Sequence, residues 1–123
     1  MPKQLSVRVI LEMRGDTGQI AQKVLDKTLS LSGFTDCAVR SIQLAAAADD
    51  YALTFTNAVF LAVYSSNYPF SARLDTGETL IENARELMLV ADDTVDGLIA
   101  GPILLTGNGT YPCDLECWII EKP

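Results

Sequence analysis

Asn57-Ala-Val-Phe-Leu-Ala-Val-Tyr-Ser-Ser-Asn-Tyr-Pro-Phe-Ser-Ala-Arg-Leu74 is the stretch on which the fold reading turns. Val59 to Tyr64 is an unbroken apolar run of strand length, rich in β-branched and aromatic residues. Such a run suits a strand buried on both faces. Ser65, Ser66, Asn67 and Pro69 then crowd into five positions. Short polar side chains there bond the local backbone and proline fixes φ, which is turn chemistry. Beyond the turn, Phe70, Ala72 and Leu74 alternate with Ser71 and Arg73, the period-2 pattern of a strand with one wet face. The stretch therefore reads as a β-hairpin.

The same signals recur on both sides. Leu5, Val7, Val9 and Leu11 mark a first strand, and Gly15-Asp16-Thr17-Gly18 a turn. Gln19 to Leu31 admits two periods. Ile20, Val24, Leu25, Thr28 and Leu29 have helical spacing, whereas Lys27 to Gly33 alternates. The expectation is an irregular lead-in and then a strand from Lys23 to Leu31. Cys37 to Leu44 is a strand with Val39 and Ile42 inward, and Tyr51, Leu53 and Phe55 mark another. Thr79 and Glu82 have capping-box spacing, so Thr79–Glu86 allows a short helix, while Glu86 to Val90 also reads as a strand. Ile103 to Thr106 is a short strand, and Gly107-Asn108-Gly109-Thr110 is a second hairpin turn. Cys113 to Ile120 closes the chain with Cys113, Leu115, Cys117 and Ile119 on one face.

Eight or nine short strands separated by turn residues predict an all-β fold, a mainly antiparallel β-sandwich or jelly roll. Short helices at Gln19–Leu31 and Thr79–Glu86 are the alternative there. With 123 residues, 49% of them hydrophobic, the expectation is one sandwich domain spanning residues 1–123. Its predicted core is Val59, Leu61, Val63, Leu89, Leu104, Leu115 and Ile119.

Composition narrows the chemistry. Nine basic against sixteen acidic residues, a net charge of −7, oppose a broad nucleic-acid footprint, which needs clustered Lys and Arg. No apolar run reaches membrane-spanning length, and the N-terminal residues do not form a secretory signal. A cytosolic site of synthesis is the expectation. The chain has no histidine, which removes the usual general base and every Ser-His or Cys-His pair. Together with the lack of a nucleophile–base motif, this gives the expectation of a non-enzymatic protein with no cofactor. Cys37, Cys113 and Cys117 are expected to be reduced core hydrophobes. Asp92, Thr94, Asp96 and Gly97 meet the first half of a calcium loop, but Ile103 stands where the closing Glu belongs, so a solvated turn is expected. Cys113 and Cys117 lack two further soft ligands for zinc. Glu78, Glu82 and Glu86 read as a solvated face. The residues left for recognition are aromatic: Tyr68 and Tyr111 in turns, and Trp118 either packed in the core or exposed as a platform.

From Asn57 to the C-terminus the chain resembles small phage-encoded structural proteins. The elements that carry the resemblance are the hydrophobic strand ending at Ser65-Ser66-Asn67-Tyr68-Pro69, the basic strand position Arg73-Leu74, the apolar segment Leu87 to Val90, and the turn Leu105 to Asn108 leading to a last strand. The resemblance implies a β-sandwich component of a virion: a head decoration, neck, tail or fibre-associated protein. It implies assembly in the host cytoplasm, homo-oligomeric contacts and contacts with major capsid or tail proteins, and no catalytic residues. Tyr68, Tyr111 and Trp118 are then candidate interface residues. The alternative is a carbohydrate-binding sandwich that recognises host-surface glycan, with Tyr64, Tyr68, Tyr111 and Trp118 as platforms and Asn67, Asn108 and Asp114 as hydrogen-bond partners.

Overall fold

The computed structural model describes residues 3–34, 37–91 and 98–121. These residues form eleven strands and no helix. All strand pairs are antiparallel. The contacts divide the chain into two compact units, Met1–Thr35 and Asp36–Pro123.

The first unit is a two-stranded ribbon. β1 (Lys3–Arg14) runs against β2 (Ile20–Phe34). The Gly15 N–H donates to the Gln19 carbonyl at 2.9 Å and closes the turn. The register sets Leu5 opposite Leu31, Val7 opposite Leu29 and Leu11 opposite Leu25, so apolar positions share one side of the ribbon. On the other side the Arg8 guanidinium donates two bonds to the Asp26 carboxylate, both at 3.2 Å. β2 starts at Ile20 rather than Lys23. Cross-strand pairing with β1 extends through the segment whose helical spacing competed, so a neighbouring strand decides between the two periods.

The second unit is a sandwich of two sheets. The larger has the order β3 (Ala38–Leu44), β11 (Cys113–Glu121), β5 (Asn57–Ser65), β8 (Glu86–Val90), with the short β9 (Ile99–Ala100) also on β5. The smaller has the order β4 (Tyr51–Leu53), β10 (Ile103–Thr106), β6 (Phe70–Leu74), β7 (Thr79–Ala84). Between the sheets, Leu61, Val63, Leu115, Cys117 and Ile119 of the larger meet Leu53, Phe70, Ala72, Ile103 and Leu105 of the smaller. Each aromatic or aliphatic side chain of this kind contributes about 1.5–3 kcal/mol when fully buried. Of the predicted core, Val59, Leu61, Val63, Leu115 and Ile119 are buried, and Leu89 packs against the cluster. Leu104 is a correction. It pairs with Ala52 and Arg73 on the outer face, because Ile103 and Leu105 take the inward positions.

Both predicted hairpins are also corrected. β5 belongs to the larger sheet and β6 to the smaller, so Ser66–Pro69 carries the chain from one sheet to the other. Gly107–Pro112 does the same between β10 and β11. These are arches, and the strands they join are not hydrogen-bonded neighbours. β6 and β7 do form a hairpin. Its turn bonds the Leu74 N–H to the Glu78 carbonyl at 2.8 Å, and Gly77 adopts φ 98°, open to glycine at no steric cost. Thr79–Ala84 is therefore a strand and not a helix. The hydrogen bonds from β6 satisfy its backbone where a helix would have satisfied it internally.

Two smaller expectations change. Val39 faces solvent at 60% exposure, and Arg40, Ile42 and Leu44 take the inner positions of β3. Cys37 is exposed rather than in the core, while Cys113 and Cys117 are buried free thiols. The Asp92–Gly97 segment lies outside the described residues.

Candidate functional site

The two arches meet at one end of the sandwich, and each is organised by an asparagine. Asn67 Oδ1 accepts from the Tyr68 N–H at 2.7 Å and from the Asp114 N–H at 3.0 Å, while its Nδ2 donates to Asp114 Oδ2 at 3.0 Å. The first arch is thereby fastened to the start of β11. The buried Ser65 hydroxyl donates back to the Tyr68 carbonyl. Asn108 Oδ1 accepts from the Thr110 and Tyr111 N–H groups at 2.8 and 2.9 Å. Asn108 Nδ2 donates to the Tyr111 carbonyl at 2.9 Å and reaches across to the Pro69 carbonyl at 3.1 Å. Asn108 thus ties the second arch to the first.

Gly107 allows the close approach. A Cβ there would lie 2.4 Å from the Ala45 carbonyl oxygen and 2.5 Å from that of Ala46. The Gly107 N–H donates to the Ala48 carbonyl and the Gly109 N–H to that of Ala46, at 2.9 and 2.8 Å. The connection from β3 to β4 therefore buttresses the second arch.

This frame stacks two exposed rings. Tyr68 and Tyr111 have centroids 4.5 Å apart and planes inclined by 18°. Aromatic pairs at such separations contribute about 0.5–1.5 kcal/mol beyond the area they bury. Two of the three predicted aromatic residues are therefore brought together, and the third is not. Trp118 lies in β11 four positions beyond Asp114, roughly 13 Å along the strand, half-buried on the outer face of the larger sheet. A shallow recess of about 340 Å³ lies beside Asp114, lined by Ser41, Gln43, Ser66 and Glu116 among others. The amides of Asn67 and Asn108 are engaged within the arches, so the candidate sugar-bonding groups already serve the backbone.

Trp118 belongs to a different feature, which the sequence reading did not single out. The register aligns Val39, Trp118, Ala62 and Met88 in one row across the outer face. The next row is Ile120, Phe60 and Val90. Tyr64 lies in the row on the other side, between Glu116 and Glu86. Val39, Tyr64, Met88 and Val90 are all exposed large hydrophobics, Met88 by 42%. Exposed large hydrophobics gathered on one face of a sheet are often functional on a monomer. The outer face of the smaller sheet instead presents Ser71 and Arg73 of β6, Thr106 of β10 and Thr79 of the edge strand β7. The run Val59–Tyr64, expected from its unbroken apolar sequence to be buried on both faces, is covered by the second sheet on one face only, with Tyr64 exposed and Phe60 half-buried on the other. In a sandwich strand, that leaves Phe60, Ala62 and Tyr64 on the outside.

Burial pushes the Cys117 thiol up to about 11, and burial also raises Cys113. Both therefore stay protonated and unreactive at neutral pH. Among the described residues no group of three or more His, Cys, Asp or Glu side chains is placed to hold a metal ion, and no helix is long and apolar enough to cross a membrane. No family model, curated protein or solved structure matches this chain.

Proposed function

We propose that this chain is a non-enzymatic structural component of a phage virion, a capsid decoration, neck or tail-associated protein that works by packing against other protein chains. The observation that carries the assembly reading is the apolar outer face of the larger sheet, two rows deep from Val39 to Met88 and from Ile120 to Val90. Covering such a face with protein removes apolar area from water, the main driving force of association. The phage setting is supported by the resemblance of Asn57 to the C-terminus to small phage structural proteins. Mass spectrometry of purified particles tests it: the chain is expected at a fixed copy number relative to the major capsid or tail protein. Particles that consistently lack it overturn the virion reading.

A second reading is favoured by the tyrosine pair. Tyr68 and Tyr111 form a stacked, exposed aromatic surface on the two arches, which suits the apolar face of a sugar ring. Titration with host-surface polysaccharide, followed by tyrosine fluorescence and by Tyr111→Ala, separates the two readings. Saturable binding by a monomer, lost in the variant, favours the glycan module.

A further inference from the structure

We infer that the β1–β2 ribbon of one molecule docks on the apolar outer face of the larger sheet in a second copy of this chain. The inference rests on the assembly reading above and names its partner. Charge divides unevenly between the two units. Residues 1–35 hold five basic and three acidic side chains, and residues 36–123 hold four basic and thirteen acidic ones. The ribbon is thus a basic element and the sandwich a strongly acidic one. Two sandwiches brought face to face concentrate negative charge, whereas a ribbon on a sandwich brings opposite signs together.

Apolar surface matches on both sides. The ribbon is a sheet of two strands with no third strand among the described residues. An isolated two-stranded ribbon is marginal in water unless its apolar side is covered. Near its turn, Leu11 is 52% and Met13 58% exposed, at alternate positions of β1 that share a side. On the sandwich, the row Val39, Trp118, Ala62 and Met88 is apolar, with Val39 and Met88 exposed at its ends, Trp118 half-buried and Ala62 buried between them, and Glu116 and Glu86 lie in the adjacent row. Leu11 and Met13 pack on that row, and the net positive charge of the ribbon faces the two glutamates. The contact joins unlike surfaces. Each molecule therefore offers one ribbon and accepts another, and the assembly propagates head to tail into rings or filaments.

The experiment uses the full-length chain and two double variants, Leu11→Asp/Met13→Asp on the ribbon and Val39→Asp/Met88→Asp on the sheet. All four positions are exposed, and circular dichroism with Trp118 emission verifies folding. Should either double variant fail to fold, the single changes Met13→Asp and Val39→Asp take its place. Size-exclusion chromatography with light scattering is expected to show wild-type oligomers that dissociate at least tenfold more readily in 0.5 M salt than in about 0.05 M, as screening predicts. Each variant alone is expected to be monomeric. Mixed one to one, they are expected to form dimers and nothing larger, because only one ribbon–face pair is intact. A ribbon variant that still oligomerises, with no rescue on mixing, overturns the inference in favour of face-to-face packing and leaves the assembly reading standing. A wild-type chain that stays monomeric at low salt overturns the inference too. Its presence in purified particles then decides the virion reading separately.

Discussion

Replacing Asn108 by alanine removes four hydrogen bonds to backbone groups at once, and with them a weak one from Nδ2 to the Cys113 sulfur at 3.5 Å. Two are accepted by Oδ1 from the Thr110 and Tyr111 N–H groups, and two are donated by Nδ2 to the Tyr111 and Pro69 carbonyls. A net contribution of about 0.5–1.5 kcal/mol per bond gives an upper figure of roughly 6 kcal/mol. Thr110 and Tyr111 are exposed, so water replaces most of what they lose. The Pro69 carbonyl keeps the Cys113 thiol as a partner at 3.2 Å. The expected cost is therefore about 2 kcal/mol, at the lower end of those contributions. For a sandwich of this size that is a fall in Tm of roughly 8–16 °C. Asn108→Asp sharpens the test. It keeps the acceptor but turns a carboxylate oxygen toward two carbonyl oxygens. Repulsion raises the folded pKa of that aspartate, so its neutral form is favoured and stability falls as pH rises through it. The aspartate variant should approach wild-type stability near pH 4 and fall below the alanine variant at pH 7. Urea denaturation followed by Trp118 emission measures all three proteins at both pH values. An alanine variant within about 0.5 kcal/mol of wild type refutes the tie between the arches, since even one net bond is worth that much. So does an aspartate variant as stable as asparagine at pH 7.

Gly107→Ala places a methyl group against the Ala45 and Ala46 carbonyl oxygens, and it should cost about 1–3 kcal/mol as other overpacked sites do. Unfolding titrations of that variant check it. Phe70→Ala empties a fully buried position in the sandwich, with an expected loss of about 3–5 kcal/mol by the same measurement. A thiol reagent at pH 8 should modify one cysteine of the native protein quickly, the exposed Cys37, and reach Cys113 and Cys117 only in denaturant. Stability should also fall in alkali. The Cys117 thiol keeps its proton to about 11 when folded against 9.0 in the unfolded chain. The unfolded state therefore ionises first and gains between those values. Unfolding curves from pH 8 to 11 should show that slope, and Cys117→Ser should reduce it.

The all-β class was legible because period-2 alternation and turn residues are local signals. They fix strand positions and inward faces wherever one side of a strand is apolar, as in β11 from Cys113 to Ile119. Tyr68 and Tyr111 were legible as exposed aromatics for the same reason, since each sits beside turn residues. Sheet membership was not legible. Ser65 to Pro69 makes the same local bonds in a hairpin and in an arch, because those bonds do not depend on where the flanking strands find partners. That choice belongs to β11 and β8, which occupy both edges of β5, and to β10 and β7, which occupy both edges of β6. The same non-local pairing turned Thr79–Ala84 into a strand against its helical spacing. It also assembled the row from Val39 to Met88 out of four strands distant in sequence. Sequence alone determined which residues prefer extended backbone and, where alternation is clear as in β11, which side faces inward, though not for Val39 in β3 or Leu104 in β10. Only the tertiary structure decided which strands became neighbours, and hence that Tyr68 stacks on Tyr111 and that an apolar face remains outside. Neighbour choice is set by the total area buried and the backbone bonds satisfied over the whole chain, and no local stretch contains that information.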